Sequence, residues 1–212
     1  MYFFDLDGTL LDSNGVWLEI DVAFLAGQGI SPVPPEYTDY VTGHSFQDAA
    51  AYTKDYFHLS LSCEEIIAIW QQMALAAYAE RLELKPGALD FLQRAARAQI
   101  RCALLTSCIP RLCRAALGRH GLDSMLERVF TTAELGLEKQ DGALYRHVSE
   151  LCGVAPADCV LFDDSPMCCR AAREAGWQVF GMADPLFAHR AAELAELCGP
   201  ERFPFSFSQP LP

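Results

Sequence analysis

The sequence lacks long apolar runs and the marks of a targeting segment. A membrane-spanning helix needs about 18 consecutive apolar residues. Even the longest apolar runs of this sequence are shorter, because Asp, Glu, Gln or Arg interrupts them. The amino terminus, MYFFDLDGTLLD, has neither the basic start nor the uninterrupted apolar segment of a signal peptide. We therefore expect a cytoplasmic protein without a membrane partner.

Basic residues are also scarce. Lys and Arg number 16 against 28 Asp and Glu, so the formal net charge is -12. Such a chain repels a phosphate backbone, and we expect no nucleic-acid partner. Cysteine is plentiful, but the nine cysteines are odd in number and form no CxxC pair. This usage indicates free thiols in a reducing cytosol.

What the sequence does contain is an alternation of short β-rich segments and longer helical patterns from Ile100 onward. Strands are predicted over residues 101–105, 128–131, 159–162 and 177–181, with a further strand at 2–6. Helices are predicted over residues 110–120, 142–152, 166–175 and 185–197. This alternation is typical of a parallel sheet covered by helices.

Residues 14–84 interrupt that pattern with almost no strand signal. Helices are predicted there over residues 14–28, 34–42, 46–57 and 62–80. From residue 13 to residue 84, ten acidic residues face only Lys54 and Arg81, a net charge of -8. We expect a separate helical domain inserted after the first strand. The tail from Pro200 contains three Phe, which we expect to pack against the core.

The strongest motif, Asp5-Leu6-Asp7-Gly8-Thr9, directly follows the first predicted strand. On a continuing strand, Asp5 and Asp7 share a face, and two ionised carboxylates that close repel each other unless a cation or a proton lies between them. Gly8 allows the backbone to turn and to approach a ligand closely. The motif therefore predicts a metal site that a phosphate or a metal-bound anion can approach closely.

Together with three later motifs, this segment resembles the haloacid dehalogenase superfamily, in the subfamily of phosphoglycolate phosphatase and β-phosphoglucomutase. Thr106 in ALLTSC, Lys139 in LGLEKQDGALY and Asp163-Asp164 in VLFDDSP match the later motifs of that family in order and spacing. The resemblance implies an α/β fold with a Rossmann-like parallel sheet core flanked by helices and an inserted all-helical cap domain. The core would comprise residues 1–13 and 85–212, and the cap residues 14–84.

The resemblance also implies a role for each site residue. Asp5 would be the nucleophile, Asp7 the general acid and base, and Thr106 and Lys139 would bind phosphate oxygens. The magnesium ligands would come from Asp5, Asp163, Asp164 and Asp7, the last through its backbone carbonyl. The remaining expected substrate contacts are Gly8, Thr9, Ser107 and His44.

Several positions depart from the family pattern. Gln140-Asp141-Gly142 follow Lys139 where the family has two prolines, so we expect a more mobile loop, and Cys168 stands where Gly is usual. Mutase relatives carry an Arg where this chain has Phe46. We therefore predict a Mg²⁺-dependent phosphatase of a small phosphorylated metabolite, with a β-phosphoglucomutase-type mutase as the alternative. The sequence leaves the oligomeric state open.

Overall fold

The computed structural model describes residues 1–42 and 46–212, which form two compact units. One unit comprises residues 1–14 and 82–212, and the other comprises residues 15–81. Among the described residues, every helix is too short or too polar to cross a membrane. All nine cysteines are free thiols, and eight of them are buried.

The first unit is built on a five-stranded parallel sheet. Its strands are β1 (Tyr2–Phe4), β2 (Cys102–Thr106), β3 (Arg128–Thr131), β4 (Val160–Asp163) and β5 (Gln178–Gly181), in the spatial order β3-β2-β1-β4-β5. Phe3 of β1 pairs with Ala103 on one side and Leu161 on the other. The central strands are apolar except for the polar residues that end β2 and β4, because helices cover both faces of a parallel sheet.

The helices are α1 (Val16–Gly27), α2 (Pro35–Thr42), α3 (Phe46–Tyr56), α4 (Cys63–Ala76), α5 (Ala88–Arg97), α6 (Pro110–His120), α7 (Thr132–Leu135), α8 (Gly142–Cys152), α9 (Pro166–Glu174) and α10 (Ala191–Cys198). A π-helical turn, Ala77–Arg81, continues α4. Helices α1 to α4 and this turn account for the regular structure of residues 15–81, and the described part of that unit contains no named strand. The predicted fold class, a Rossmann-like parallel sheet with an all-helical insert, is confirmed.

The two faces of the sheet pack differently. On one face, Phe3 packs on Trp177, with ring centroids 4.4 Å apart, inside a cluster that also includes Tyr145. On the other face, Phe4 stacks on Phe162 at 4.8 Å, and Phe91, Phe205 and Phe207 surround this pair. The phenylalanines at 205 and 207 are buried, so these two residues of the tail pack against the core as predicted.

Two predicted elements differ from the observed ones, and helices α5 and α7 lie where no helix is predicted. The first strand ends at Phe4 instead of residue 6, although the Asp5 amide still donates to the Phe162 carbonyl at 2.9 Å. The helix predicted over 185–197 is a 3₁₀ helix, Pro185–Arg190, followed by α10, because the Asp184 carboxylate caps a separate start at the Leu186 amide. Helix α5 was not predicted, although Gly87 at a φ of 81° marks its beginning.

Candidate active site

The predicted site residues meet at one edge of the sheet. Asp5 directly follows β1, while Thr106 and Asp163 are the last residues of β2 and β4. Because β1 lies between β2 and β4, the three positions are neighbours at the carboxyl ends of adjacent parallel strands. This edge is where open parallel sheets bind their ligands.

The centre of the site is a buried group of three carboxylates. One oxygen from each of Asp5, Asp163 and Asp164 lies within 4.8 Å of the others. The Lys139 ammonium lies 2.7 Å from Asp5 Oδ1 and 2.7 Å from Asp163 Oδ2. If all four groups are ionised, three negative charges face one positive charge, so two negative charges stay uncompensated.

The electrostatics of the group follow from burial and from this imbalance. Burial, followed by the negative charges of Asp163 and Asp5, raises the pKa of the Asp164 carboxyl. Burial also raises the pKa of Asp163, although the Lys139 ammonium opposes that shift. Burial would lower the pKa of Lys139, but the carboxylates of Asp163 and Asp5 outweigh it and raise that pKa well above its ordinary value. A divalent cation with oxygen ligands would relieve the excess charge, so the residues present fit Mg²⁺.

Hydrogen bonds hold both Asp163, the last residue of β4, and Asp164, which follows it. Asp163 Oδ1 accepts a bond of 2.8 Å from the Ser165 amide, just before Pro166 begins α9. Asp164 Oδ1 accepts a bond of 3.3 Å from the Thr9 hydroxyl, and Asp164 Oδ2 accepts one of 2.8 Å from the Asn14 amide. Thr9 is fully buried, so its side chain supports Asp164 from within the protein.

Asp7 stands apart from the buried group. Its side chain is half-buried, and its Oδ1 accepts a hydrogen bond of 2.6 Å from the Ser13 hydroxyl. The backbone turns at Gly8, which has a φ of 77°. A Cβ atom at Gly8 would collide with Asn14 Nδ2 and Asp164 Oδ2, so a side chain there would displace the groups that surround the acid cluster.

The end of β2 contributes hydroxyl groups. The Thr106 side chain is buried, and its Oγ1 accepts a hydrogen bond of 3.1 Å from the Cys108 amide. A hydroxyl that accepts such a bond still has its own O–H to donate. Ser107, the next residue, is exposed. His44 lies outside the described residues.

Hydrogen bonds hold the loop that presents Lys139, at the place where the family has two prolines. The Tyr145 hydroxyl donates to the Lys139 carbonyl at 2.9 Å, and the Asp141 amide donates to the Glu138 carbonyl at 3.0 Å. The Asp141 side chain caps α8 by accepting from the Ala143 amide at 2.8 Å. These contacts hold the backbone on both sides of Lys139, and the greater mobility expected from the sequence stays a prediction.

The structure places the Asn14 side chain in the site, whereas the sequence analysis gives that side chain no role. Its amide reaches Asp164 across a separation of 150 residues, so no local pattern indicates the contact. Its proximity to the DxDGT motif is the one signal that could have drawn attention to it.

Comparisons with known proteins place this site in context. Residues 1–176 match a family described as haloacid dehalogenase-like hydrolases. The protein named "Probable pseudouridine-5'-phosphatase" of Drosophila melanogaster is 26% identical over 216 aligned positions, which cover 94% of this chain and 91% of the relative. Hexitol phosphatase A of Escherichia coli is 28% identical over 209 positions, which cover 91% and 87% of the two chains. A crystal structure of a "putative beta-phosphoglucomutase" from Thermotoga maritima superposes with a TM-score of 0.80 at 22% identity, over 94% of this chain and 91% of that one, and thus shares the fold.

Proposed function

We propose, because the chain belongs to the haloacid dehalogenase-like hydrolase family, that it is a phosphatase that hydrolyses a small phosphomonoester through an aspartyl-phosphate on Asp5. The observation that carries the proposal is the buried group of Asp5, Asp163 and Asp164 with Lys139 at the carboxyl edge of the sheet. The relatives named as phosphatases support the same reaction class.

In the first step, a carboxylate oxygen of Asp5 attacks phosphorus, and the bond from phosphorus to the leaving oxygen breaks. Lys139 orients Asp5 through its contact of 2.7 Å. The leaving oxygen takes a proton from Asp7, whose carboxyl is held by the Ser13 hydroxyl at 2.6 Å. The alcohol departs, and the phosphoryl group stays on Asp5.

In the second step, a water molecule attacks the same phosphorus atom. Asp7, now ionised, accepts the proton of that water, and the bond between phosphorus and Asp5 breaks. Inorganic phosphate leaves, and Asp5 and Asp7 return to their starting states. Using one group first as acid and then as base is worth about 10²- to 10⁴-fold in rate.

Two further side chains serve the transferring phosphoryl group. The O–H of Thr106 donates to one phosphate oxygen, and the Lys139 ammonium neutralises charge beside Asp5. Phosphoryl transfer needs mainly such positioning and charge stabilisation. Mg²⁺, when bound, supplies the positive charge that the acid cluster lacks, and its ligands would come from Asp5, Asp164, Asp163 and the Asp7 carbonyl.

The alternative is a mutase of the β-phosphoglucomutase type, which the likeness to the Thermotoga maritima structure brings forward. The described contacts of residues 15–81 argue against it. Phe46, at the position where mutase relatives carry an Arg, packs edge-on against Trp17 with ring centroids 4.9 Å apart. An apolar pair there offers no cation to a second phosphate.

The test is phosphate release from a panel of phosphomonoesters, with and without Mg²⁺. We expect turnover that EDTA abolishes and Mg²⁺ restores. Asp123→Asn, which changes an exposed acid away from the site, is the control and should keep wild-type turnover. Full activity in excess EDTA, or restoration by Zn²⁺ and never by Mg²⁺, would contradict the proposal.

A further inference from the structure

We propose that Asn14 is a positioning residue that fixes the Asp164 carboxylate for Mg²⁺ binding. The inference rests on the metal site of the proposed function. It assigns a task to a side chain that lies outside the motif positions that define the family resemblance.

The first observation is how completely Asp164 is held. The Asn14 amide donates to Oδ2 at 2.8 Å, and the Thr9 hydroxyl donates to Oδ1 at 3.3 Å. Both donors belong to the segment that follows β1, whereas Asp164 follows β4. The carboxylate is therefore oriented from both oxygens by a segment distant in sequence.

The second observation is the close approach that makes the bond possible. A Cβ atom at Gly8 would collide with Asn14 Nδ2 and with Asp164 Oδ2. The hydrogen bond thus runs directly over the Gly8 backbone, in space that a side chain at that position would fill. The turn after β1 and the Asn14 contact depend on the same glycine.

The third observation is the contrast with a second buried acid, Asp184. Burial would raise the pKa of Asp184, but interactions led by the hydrogen bond from the Lys85 ammonium hold that pKa below its ordinary value. Lys85 Nζ lies 2.6 Å from Asp184 Oδ2 and 3.4 Å from Asp12 Oδ1. Asp184 therefore has a cationic partner, whereas the donors to Asp164 from Asn14 and Thr9 are neutral.

The chemistry of this position requires an amide. A side-chain NH₂ is a neutral donor, so it can orient the Asp164 carboxylate and leave the negative charge of that carboxylate for a cation. An aspartate at this position would add a negative charge beside Asp164 and, when ionised, could not donate. Asn14 is the only asparagine in the chain.

Because Asn14 is the only asparagine in the chain, selective isotope labelling of asparagine observes this residue alone. In protein labelled with ¹⁵N-asparagine, the only side-chain NH₂ pair in the nuclear magnetic resonance spectrum belongs to Asn14. We expect both proton signals to shift on titration with MgCl₂ alone and to saturate with the same Kd that calorimetry gives for wild-type protein. Signals that do not move at saturating MgCl₂, or the absence of Mg²⁺ binding, would overturn the inference.

The matched variants measure the size of the effect. Asn14→Leu keeps the shape and removes both donors, and we expect it to weaken Mg²⁺ binding by about 10- to 100-fold, the usual loss when an outer partner of a metal ligand is removed. Gln178→Leu removes an amide donor that bonds the Ala157 carbonyl at 3.1 Å in the same unit, and it should bind Mg²⁺ as wild type does. A Kd for Asn14→Leu within about twofold of wild type would overturn the inference.

These measurements need no substrate, so they separate the two proposals. Suppose that Mg²⁺ binding weakens in Asn14→Leu as expected, but wild-type protein releases no phosphate from any ester. That result would support this inference and contradict the phosphatase proposal. Mg²⁺-dependent phosphate release, together with a Kd for Mg²⁺ that is unchanged in Asn14→Leu, would support the phosphatase proposal and overturn this inference.

Discussion

Asp21 shows what burial does to a carboxylate that has few partners. The Tyr37 hydroxyl donates to its Oδ1 at 3.0 Å, whereas Oδ2 has no hydrogen-bond partner among the described residues. Burial raises the pKa of Asp21 to about 6, although the bond from Tyr37 opposes the shift. Asp184, which is paired with Lys85, shows the opposite result, a lowered pKa.

The raised pKa of Asp21 predicts a pH-dependent loss of stability. The folded state holds this proton more tightly than the unfolded state, so the free energy of unfolding falls as pH rises from about 4 to about 6. Asp21→Asn cannot ionise, so we expect it to be more stable than wild type by about 1–2 kcal/mol at pH 8 and to lose that advantage near pH 4. Urea unfolding of both proteins across this pH range measures the difference. Parallel profiles for the two proteins would contradict the assignment.

At the residue scale, motif chemistry predicts which side chains come together, but not what supports them. Asp5, Asp163, Asp164 and Lys139 meet as the motifs indicate, because adjacent parallel strands bring their carboxyl ends to one edge. Their catalytic roles stay predictions. Asn14 could not be assigned, because its contact depends on the turn at Gly8 and on a partner 150 residues away.

At the scale of elements, apolar strands are predictable and the segments between helices are less so. Strands β2 to β5 lie within a residue or so of the predicted ranges, since a run of buried apolar residues leaves few alternatives. The segment 185–197 has a helical pattern throughout, but Asp184 and Pro185 impose a 3₁₀ start that only the cap geometry reveals. The Lys139 loop is similar, because Tyr145 and Asp141 supply the anchoring that prolines would otherwise give.

The carboxyl-terminal segment is a structural element of the first unit. Phe207 is 1% exposed and lies 5.2 Å from the ring of Phe91, and Arg94 donates to the carbonyls of Phe207 and Gln209. The Phe205 amide donates to the Gly181 carbonyl at 2.8 Å, at the end of β5. The tail therefore covers the aromatic face of the sheet.

This packing predicts a large effect of Phe207→Ala. Removing a fully buried aromatic ring leaves a cavity, and we expect a loss of about 3–5 kcal/mol in the free energy of unfolding. Ser208→Ala, next to it and exposed, should change that free energy by less than about 0.5 kcal/mol. Urea denaturation of the three proteins gives the comparison. Equal midpoints for Phe207→Ala and Ser208→Ala would show that the tail does not stabilise the unit.

At the scale of the whole molecule, charge is distributed unevenly. Residues 13–84 carry ten acidic residues and two basic ones, a net charge of -8 out of the total of -12. The described catalytic candidates Asp5, Thr106, Lys139 and Asp164 all lie outside residues 15–81. We propose that this helical unit acts as the cap that selects the leaving group, with hinges near residues 13–15 and 84–87.

A cap with so few cations predicts the charge of the substrate. A second anionic group would meet repulsion, so the part of the substrate that faces the cap should be neutral or cationic. The measurement is kcat/KM for mono-phosphorylated and bis-phosphorylated substrates that share one carbon skeleton, and we expect the mono-phosphorylated compound to be preferred. A preference for the bis-phosphate by more than about tenfold, or 1.4 kcal/mol, would favour the mutase.

The central claim is that the phosphoryl group passes through Asp5, and chemical trapping tests it most directly. Borohydride added during turnover reduces an acyl phosphate to an alcohol, so peptide mass spectrometry should find homoserine at position 5 in wild type. Asp5→Asn should show no such product and should lose more than about 100-fold in turnover, or about 2.7 kcal/mol of transition-state stabilisation. Phosphate release that continues without modification at position 5, or in Asp5→Asn at more than about a hundredth of the wild-type rate, would contradict the account.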